Sequence, residues 1–273
     1  MGLLTCLATI LTGSQLSANC LLLHDASQHS HWVWHVSTDV HFSNLESTDV
    51  YFSGDGTEDW RAEHDLDGPL YGLTMTGSPP VLGNMIRGFV SYREGDLDGD
   101  FNTREIDPVP EGPYPGDVSF DREELELGID VQILNAVYAR VAYSKHEMDG
   151  DWEYDGPSDP IEPQEYDFEA VEVGAGFRQD YVSCYSPDLT FGVDTYLAVL
   201  FFDYEHTEVD GGYRKDTDGA GFKGRIEANF KYLVADHARV MLACGYAYQD
   251  LDKDDLDLTQ EGFLLRLGVE AEF

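Results

Sequence analysis

The chain has few basic residues for its size. Its 273 residues include 16 Lys and Arg but 53 Asp and Glu, which gives a formal net charge of -37 at pH 7. Proteins that bind nucleic acid neutralise phosphates with clustered Lys and Arg, so no nucleic acid is expected as a partner. A linker rich in Pro, Gly or Ser is also missing, which indicates one domain after a short leader.

Cysteine is scarce and is not arranged as in a metal site. Cys6, Cys20, Cys184 and Cys244 lack metal-type spacing, and two of the four lie in the leader region. A disulfide between Cys184 and Cys244 stays open, because the sequence does not give its geometry. The chain also lacks a Gly-x-Ser-x-Gly turn, a phosphate loop and a zinc helix, which are signatures of common enzyme classes.

Residues 1–30 are interpreted as a leader, either a signal peptide or a disordered N-terminus. An apolar run at residues 3–11 precedes small residues of the kind found at a cleavage zone, namely Gly13, Ser14, Ser17 and Ala18. The basic segment that normally precedes such a run is missing. No apolar stretch long enough for a membrane-spanning helix follows.

A two-residue periodicity dominates the rest of the chain. From Phe263 to Phe273 one parity is wholly apolar, and the other carries Arg266, Glu270 and Glu272. Successive side chains of a strand point to opposite faces, so this segment has one apolar and one charged face. The pattern predicts ten strands, of which the second is the faintest: 32–42, 70–76, 86–93, 124–133, 137–144, 171–178, 189–201, 222–232, 240–248 and 263–273.

Charges within these segments are sorted by parity. Ten of the 16 basic residues have the parity of the polar face, where Asp and Glu nearly balance them. Opposite charges inside a narrow closed sheet are expected to pair, because an isolated buried charge is costly. We expect Leu267 and Phe230 to point outward, and Arg266 and Lys231 to point inward. The excess acid falls in the connections, around 43–69, 94–118, 147–167, 203–219 and 250–261.

This pattern resembles the small bacterial outer-membrane β-barrel proteins. The shared features are two-faced strands, alternating short and long connections, aromatic residues toward strand ends, and a last strand that closes on Phe273. The resemblance covers residues 31–273. It implies an all-β fold, an antiparallel up-and-down transmembrane β-barrel of ten strands; eight or twelve strands are the alternatives. It implies a bacterial outer-membrane location, contact with outer-membrane lipid, and recognition by the barrel assembly machinery during insertion. The acidic connections would then be long extracellular loops.

Asp96, Asp98 and Asp100 are the candidate metal ligands. They place carboxylates on alternate residues, which resembles the opening of a calcium-binding loop. The match is incomplete, because Phe101 occupies the position of the expected Gly and Asp107 that of the expected Glu. The alternative is a solvated acidic loop that holds Ca²⁺ or Mg²⁺ diffusely. No other cofactor is predicted.

Catalysis has weaker support than binding. Asp203 and His206, with His35, Asp39 and His41, supply the residue types of a hydrolase at the barrel rim, where ten-stranded outer-membrane proteases use Asp and His. However, no spacing matches that family's signature, and Asp203 and His206 differ in parity.

The sequence therefore favours a noncatalytic outer-membrane barrel with a narrow, charge-paired lumen. Its acidic loops would contact cations, surface polymer or a partner. The alternatives are the rim hydrolase and a soluble secreted all-β module that binds calcium or carbohydrate.

Overall fold

The computed structural model describes residues 21–23, 32–52, 58–80, 85–105, 111–134, 136–154, 161–208, 213–253 and 256–272. Most of the predicted leader, Cys6, Cys20 and Phe273 lie outside these ranges. No helix in the described ranges is long and apolar enough to cross a membrane.

Ten long strands form a barrel, and one short strand, β1 (Leu21–Leu23), pairs with the end of the seventh strand in the chain. The shortest barrel strand has 16 residues and the longest has 23. The barrel strands are β2 (Val33–Phe52), β3 (Glu58–Ser78), β4 (Ile86–Glu105), β5 (Glu111–Gln132), β6 (Val137–Tyr154), β7 (Ile161–Ser183), β8 (Leu189–Glu208), β9 (Tyr213–Ala235), β10 (Ala238–Lys253) and β11 (Leu256–Glu272).

The sheet closes on itself. Each barrel strand pairs antiparallel with its neighbours in the chain, and β11 pairs with β2 from Leu256 opposite Asp49 to Glu272 opposite Val33. Within the described ranges, closure pairs each of the ten barrel strands on both of its edges, which is what a sheet that crosses a bilayer requires. The predicted all-β fold, a ten-stranded antiparallel barrel, is confirmed.

An apolar belt surrounds the end of the barrel where β2 begins and β11 ends, which we call the terminal end. Within it Leu267 is 63% exposed and points outward, whereas Arg266 is 5% exposed and points inward. Phe230 also points outward, and Lys231 pairs with carboxylates in the lumen. The predicted register is therefore confirmed, since a slip of one residue would exchange these faces. A continuous exposed belt of this kind faces lipid.

Aromatic side chains form a girdle along the border of the belt that lies away from the terminal end. Eight strands carry an outward aromatic residue at this border: Phe42, Tyr71, Tyr92, Tyr143, Phe201, Phe222, Tyr248 and Phe263. Aromatic girdles mark the interface between membrane and water. From Phe263 to the end of β11 there are about 10 residues, the length of a membrane-spanning strand.

The acidic segments beyond the girdle are mostly strand, so the prediction of long loops is wrong. Segment 94–118 forms the end of β4 and the start of β5, with only 106–110 outside the described residues. The reason is that, beyond the girdle, the inward face of the strands is apolar and the outward face is charged. Leu97 and Phe101 point inward and are buried, at 0% and 2% exposure. The acidic residues between them point outward into water. We call this outward surface, from the girdle to the far or acidic end, the acidic wall.

Apolar side chains fill the barrel behind the acidic wall and form what we call the apolar plug. They come from facing strands, so they meet across the lumen. Burying a large apolar side chain stabilises the fold by about 1.5 to 3 kcal/mol. The larger members are Leu45, Leu66, Leu70, Leu97, Phe101, Phe120, Trp152, Tyr166, Phe168, Leu200, Phe202, Tyr204, Leu251, Leu256 and Leu258.

Candidate functional site

Charged side chains occupy the lumen inside the apolar belt. Asp130 is 1% exposed and accepts hydrogen bonds from Arg140 Nε at 2.8 Å and from Arg178 Nη2 at 2.8 Å. Arg178 Nε also donates to Asp194 at 2.8 Å, and the Tyr138 hydroxyl donates to the same carboxylate at 2.8 Å. These shared partners tie four strands together across the lumen.

A second group of ion pairs lies closer to the plug. Arg93 Nε is 2.6 Å from Asp39 Oδ1, and Arg93 Nη1 is 3.4 Å from Glu124. Arg122 Nη2 lies 2.8 Å from Glu124 and donates to Gln260 at 2.9 Å. The predicted charge pairing in the lumen is confirmed, and removal of one partner would leave a buried charge uncompensated.

A third group lies at the terminal end. Lys231 Nζ is 2.9 Å from Asp180 and 3.0 Å from Glu270, and Arg239 Nη1 is 3.0 Å from Glu270. Sequence reasoning missed Asp180. The alternation of strand β7 continues past Arg178, and an extension of that pattern by two residues would have found it.

A small polar cluster lies inside the apolar plug, toward the acidic end. Asp49 is 0% exposed and accepts hydrogen bonds from Lys215 Nζ and from the Tyr204 hydroxyl, each at 3.1 Å. His206 Nε2 lies 2.7 Å from Gln164 Oε1. Sequence reasoning missed Asp49 and Lys215, which are 166 residues apart and meet only in the closed barrel.

Two buried histidines, one within this cluster and one beside it, lie among aromatic rings. His206 stacks on Tyr166 with a centroid distance of 4.2 Å, and His64 meets Trp152 edge-on at 5.1 Å. Burial lowers the pKa of His206 to about 4 and also lowers the pKa of His64, against the opposing charge of Asp49. Both rings are therefore neutral at neutral pH and act as packing groups.

The residues considered for a rim hydrolase are not brought together. Asp203 points outward from β8, whereas His206 points into the plug. Asp39 is held in the lumen by Arg93, and His35 and His41 face the lumen on the same side of the plug. The direction of β2 explains this separation, because the strand starts at the terminal end and reaches the acidic end only at Phe52.

Carboxylates on the acidic wall stand opposite one another on neighbouring strands. The longest row crosses six strands, from β4 to β9. Directly opposed like charges destabilise an antiparallel pair, so this row requires compensation. Lys145 and Arg214 lie within ion-pair distance of parts of it. The row consists of Glu94, Glu123, Glu147, Asp167, Glu205 and Asp216.

Asp96, Asp98 and Asp100 lie on this wall and do not form a calcium-binding loop. Strand β4 runs through them, so their carboxylates leave the backbone about 6.6 Å apart and do not converge on one ion. A hydrogen bond with Asp121 and the charge of Asp121 raise the pKa of Asp96. In the described part of the chain, no group of three His, Cys, Asp or Glu side chains could hold a metal ion.

Cys184 and Cys244 are not joined to each other by a disulfide. Cys184 lies in the turn after β7, and Cys244 points outward from β10 into the apolar belt. The disulfide left open by the sequence is not formed.

Comparison with known proteins identifies the fold. No protein-family model and no curated protein sequence matches the chain. Among solved structures, the outer membrane protease OmpT of Escherichia coli matches with a TM-score of 0.57 at 12% identity, over 88% of this chain and 97% of that chain. The outer membrane protein OprG of Pseudomonas aeruginosa matches with a TM-score of 0.39 at 10% identity, over 92% of this chain and 99% of that chain.

Neisserial surface protein A matches with a TM-score of 0.33 at 13% identity, over 88% of this chain and 97% of that chain. A likeness at such low identity concerns the fold and not the chemistry. With its closed ten-stranded barrel and its lipid-facing belt, the chain has the fold of the small bacterial outer-membrane β-barrel proteins and is located in the bacterial outer membrane.

Proposed function

We propose that the protein is a noncatalytic outer-membrane barrel whose working surface is the acidic wall. Outer-membrane barrels keep their short turns in the periplasm, so the terminal end faces the periplasm and the acidic wall stands outside the cell. The wall collects Ca²⁺ or Mg²⁺ and, through these ions, contacts surface polymer or a partner. The row of six opposed carboxylates carries this proposal.

Charge spacing favours diffuse divalent binding over one coordination cage. Opposed side chains on paired strands have Cβ atoms about 5 Å apart, so a cation between them neutralises two carboxylates. Lipopolysaccharide in the outer leaflet is also anionic. Contact between it and the wall is therefore repulsive unless a divalent cation bridges the two.

The lumen supports a role without transport or catalysis. Ion pairs such as Arg140 with Asp130 line its periplasmic half, and the apolar plug fills its extracellular half. The outermost polar cluster is buried, since Asp49 and His206 are 0% and 2% exposed. The described residues therefore leave no passage through the barrel for a substrate.

Thermal unfolding with Ca²⁺ and with Na⁺ at the same ionic strength tests the proposal. Screening acts over about 8 Å at 0.15 M and depends on ionic strength, whereas bridging depends on the divalent ion. We expect Ca²⁺ to raise the melting temperature more than the matched Na⁺ does. Equal protection by both salts would contradict the proposal.

Two variants localise the effect. Glu123→Gln removes one charge from the middle of the row of six, and we expect it to stabilise the barrel without Ca²⁺ and to reduce the Ca²⁺ response. Asp188→Asn removes one charge from an exposed turn at the periplasmic end and should respond to Ca²⁺ as the parent does. Identical responses of the two variants would argue against the row as the binding surface.

A further inference from the structure

The lumen contains a cavity that opens toward the periplasm. Its volume is about 220 Å³, and residues near the periplasmic turns, including Ser78, Met85 and Val137, line its mouth. A buried water needs about 10 to 15 Å³ measured in this way, so the cavity has room for a small solute with its hydration. The apolar plug closes the lumen above it. We call this cavity the periplasmic chamber.

The lining of the periplasmic chamber is rich in basic residues, although the protein as a whole is strongly acidic. Eight basic and six acidic side chains line it, and Asp39, outside the lining, pairs with two of the basic ones, Arg93 and Arg266. Uncompensated charge inside a membrane-embedded lumen is costly. An anion in the chamber would lie among these basic side chains and add to the carboxylates that compensate them.

Guanidinium groups in the chamber have N–H groups that make no hydrogen bond in the described residues. Arg266 is 5% exposed, and its Nη1 lies 3.1 Å from Glu227 Oε2. Its Nε and Nη2 are buried without a hydrogen-bond partner in the described residues, and so is Arg225 Nε. A buried donor that loses water and gains no acceptor costs about 1 to 3 kcal/mol. Asp39 Oδ2 is 3.8 Å from Arg266 Nε, which is too long for a hydrogen bond, so these donors are open to an acceptor from solution.

Aromatic contacts fix the position of Arg225. Its guanidinium carbon lies 5.2 Å from the ring centroid of Tyr196, and that of Arg140 lies 4.1 Å from the same ring. The Tyr196 ring thus contacts two guanidinium groups. Arg140 is further held by an ion pair with Asp130 at 2.8 Å. Planar guanidinium groups bind tetrahedral oxyanions through paired hydrogen bonds, which a lysine cannot reproduce.

We infer that the periplasmic chamber binds a small oxyanion of the phosphate class, with Arg225 and Arg266 as its principal ligands. The anion enters from the periplasm, because the acidic wall repels anions at the other end and the plug blocks passage through the barrel. The chamber is therefore a blind binding site.

Calorimetric titration of the folded barrel in an uncharged detergent tests this inference, with sodium phosphate as the probe and sodium chloride at equal ionic strength as the reference. We expect saturable binding of one phosphate per barrel that chloride does not reproduce. Glycerol 3-phosphate in a parallel titration separates two sources of the same chemistry. Tighter binding than phosphate identifies a phosphate monoester, and weaker binding identifies the free anion. Absence of saturable binding of either compound would overturn the inference.

Variants connect the binding to the chamber. Arg225→Gln should weaken phosphate binding at least tenfold, and Arg214→Gln, the same change on the acidic wall, should leave it unchanged. Folding of each variant is verified by its heat-modifiable gel migration. If Arg225→Gln does not fold, Arg225→Lys keeps the charge and should weaken binding by losing the paired hydrogen bonds. Equal affinity of the parent and the folded Arg225 variant would refute the assignment.

Discussion

At the scale of single residues, the level of a side chain along its strand decides its environment. Arg93 and Leu97 are both inward residues of β4, yet Arg93 lies in a salt bridge at 2.6 Å and Leu97 lies in the apolar plug. The outward residues change in the opposite sense across the girdle, from Tyr92 to Glu94. The environment of a side chain therefore depends both on its parity and on its position along the barrel axis.

Acidification should destabilise the barrel through His206. Its pKa in the folded state is about 4, compared with about 6.5 for an unfolded histidine. The unfolded chain therefore binds the proton first as the pH falls. The stability that neutral His206 contributes is complete above about pH 6.5 and is lost toward pH 4, by about 2 to 3 kcal/mol at pH 4.5.

Urea unfolding of the parent and of His206→Gln at pH 7 and pH 4.5 measures this contribution. We expect the parent to lose more stability between the two pH values than His206→Gln loses. His237→Gln, at an exposed turn position, is the matched control and should follow the parent. Equal losses in the parent and in His206→Gln would mean that His206 becomes protonated in the folded barrel.

At the scale of the strands, the barrel has two kinds of core. Its membrane-embedded part is held by ion pairs inside and lipid outside, and the part beyond the girdle has an apolar interior and a charged exterior, as a water-soluble barrel has. Phe120, which is 1% exposed and meets Tyr166 edge-on at 5.2 Å, belongs to the second kind. Phe222, which is 64% exposed on the apolar belt, faces lipid.

Phe120→Ala should therefore cost much more stability than Phe222→Ala. Loss of a buried phenylalanine ring costs about 3 to 5 kcal/mol, because the cavity it leaves closes only in part. Loss of the Phe222 ring leaves a gap that lipid can fill. Urea unfolding of both variants in bilayers measures the difference. Similar losses would show that the half of the barrel beyond the girdle is not packed as a core.

The sequence predicted the ten strands and their register because alternation across the membrane is strong. In β11, Arg266 and Leu267 were assigned to the correct faces from parity alone. The same alternation continues at Asp96, Leu97 and Asp98, but its faces are exchanged, and the acidic composition was interpreted as loop. Contacts such as Lys215 with Asp49 depend on closure between distant strands, so no local pattern in the sequence reports them.

At the scale of the whole molecule, the apolar plug closes the lumen of the barrel. Ten strands enclose a lumen only slightly wider than its side chains, and here these side chains interlock through salt bridges or apolar contacts. We expect no stable conductance in planar bilayers containing the purified protein. Large, weakly selective channels would contradict the closed lumen.

The central claim is that lipid ends and water begins at the aromatic girdle while the strands continue unbroken. Spin labels placed one at a time along β11, in a background without native cysteines, test it most directly. Labels at residues 265, 267 and 269 should be accessible to oxygen and protected from a water-soluble nickel complex, and labels at 257, 259 and 261 should show the reverse. Access of the nickel complex to 265, 267 and 269 in the bilayer-reconstituted protein would contradict a lipid-facing belt.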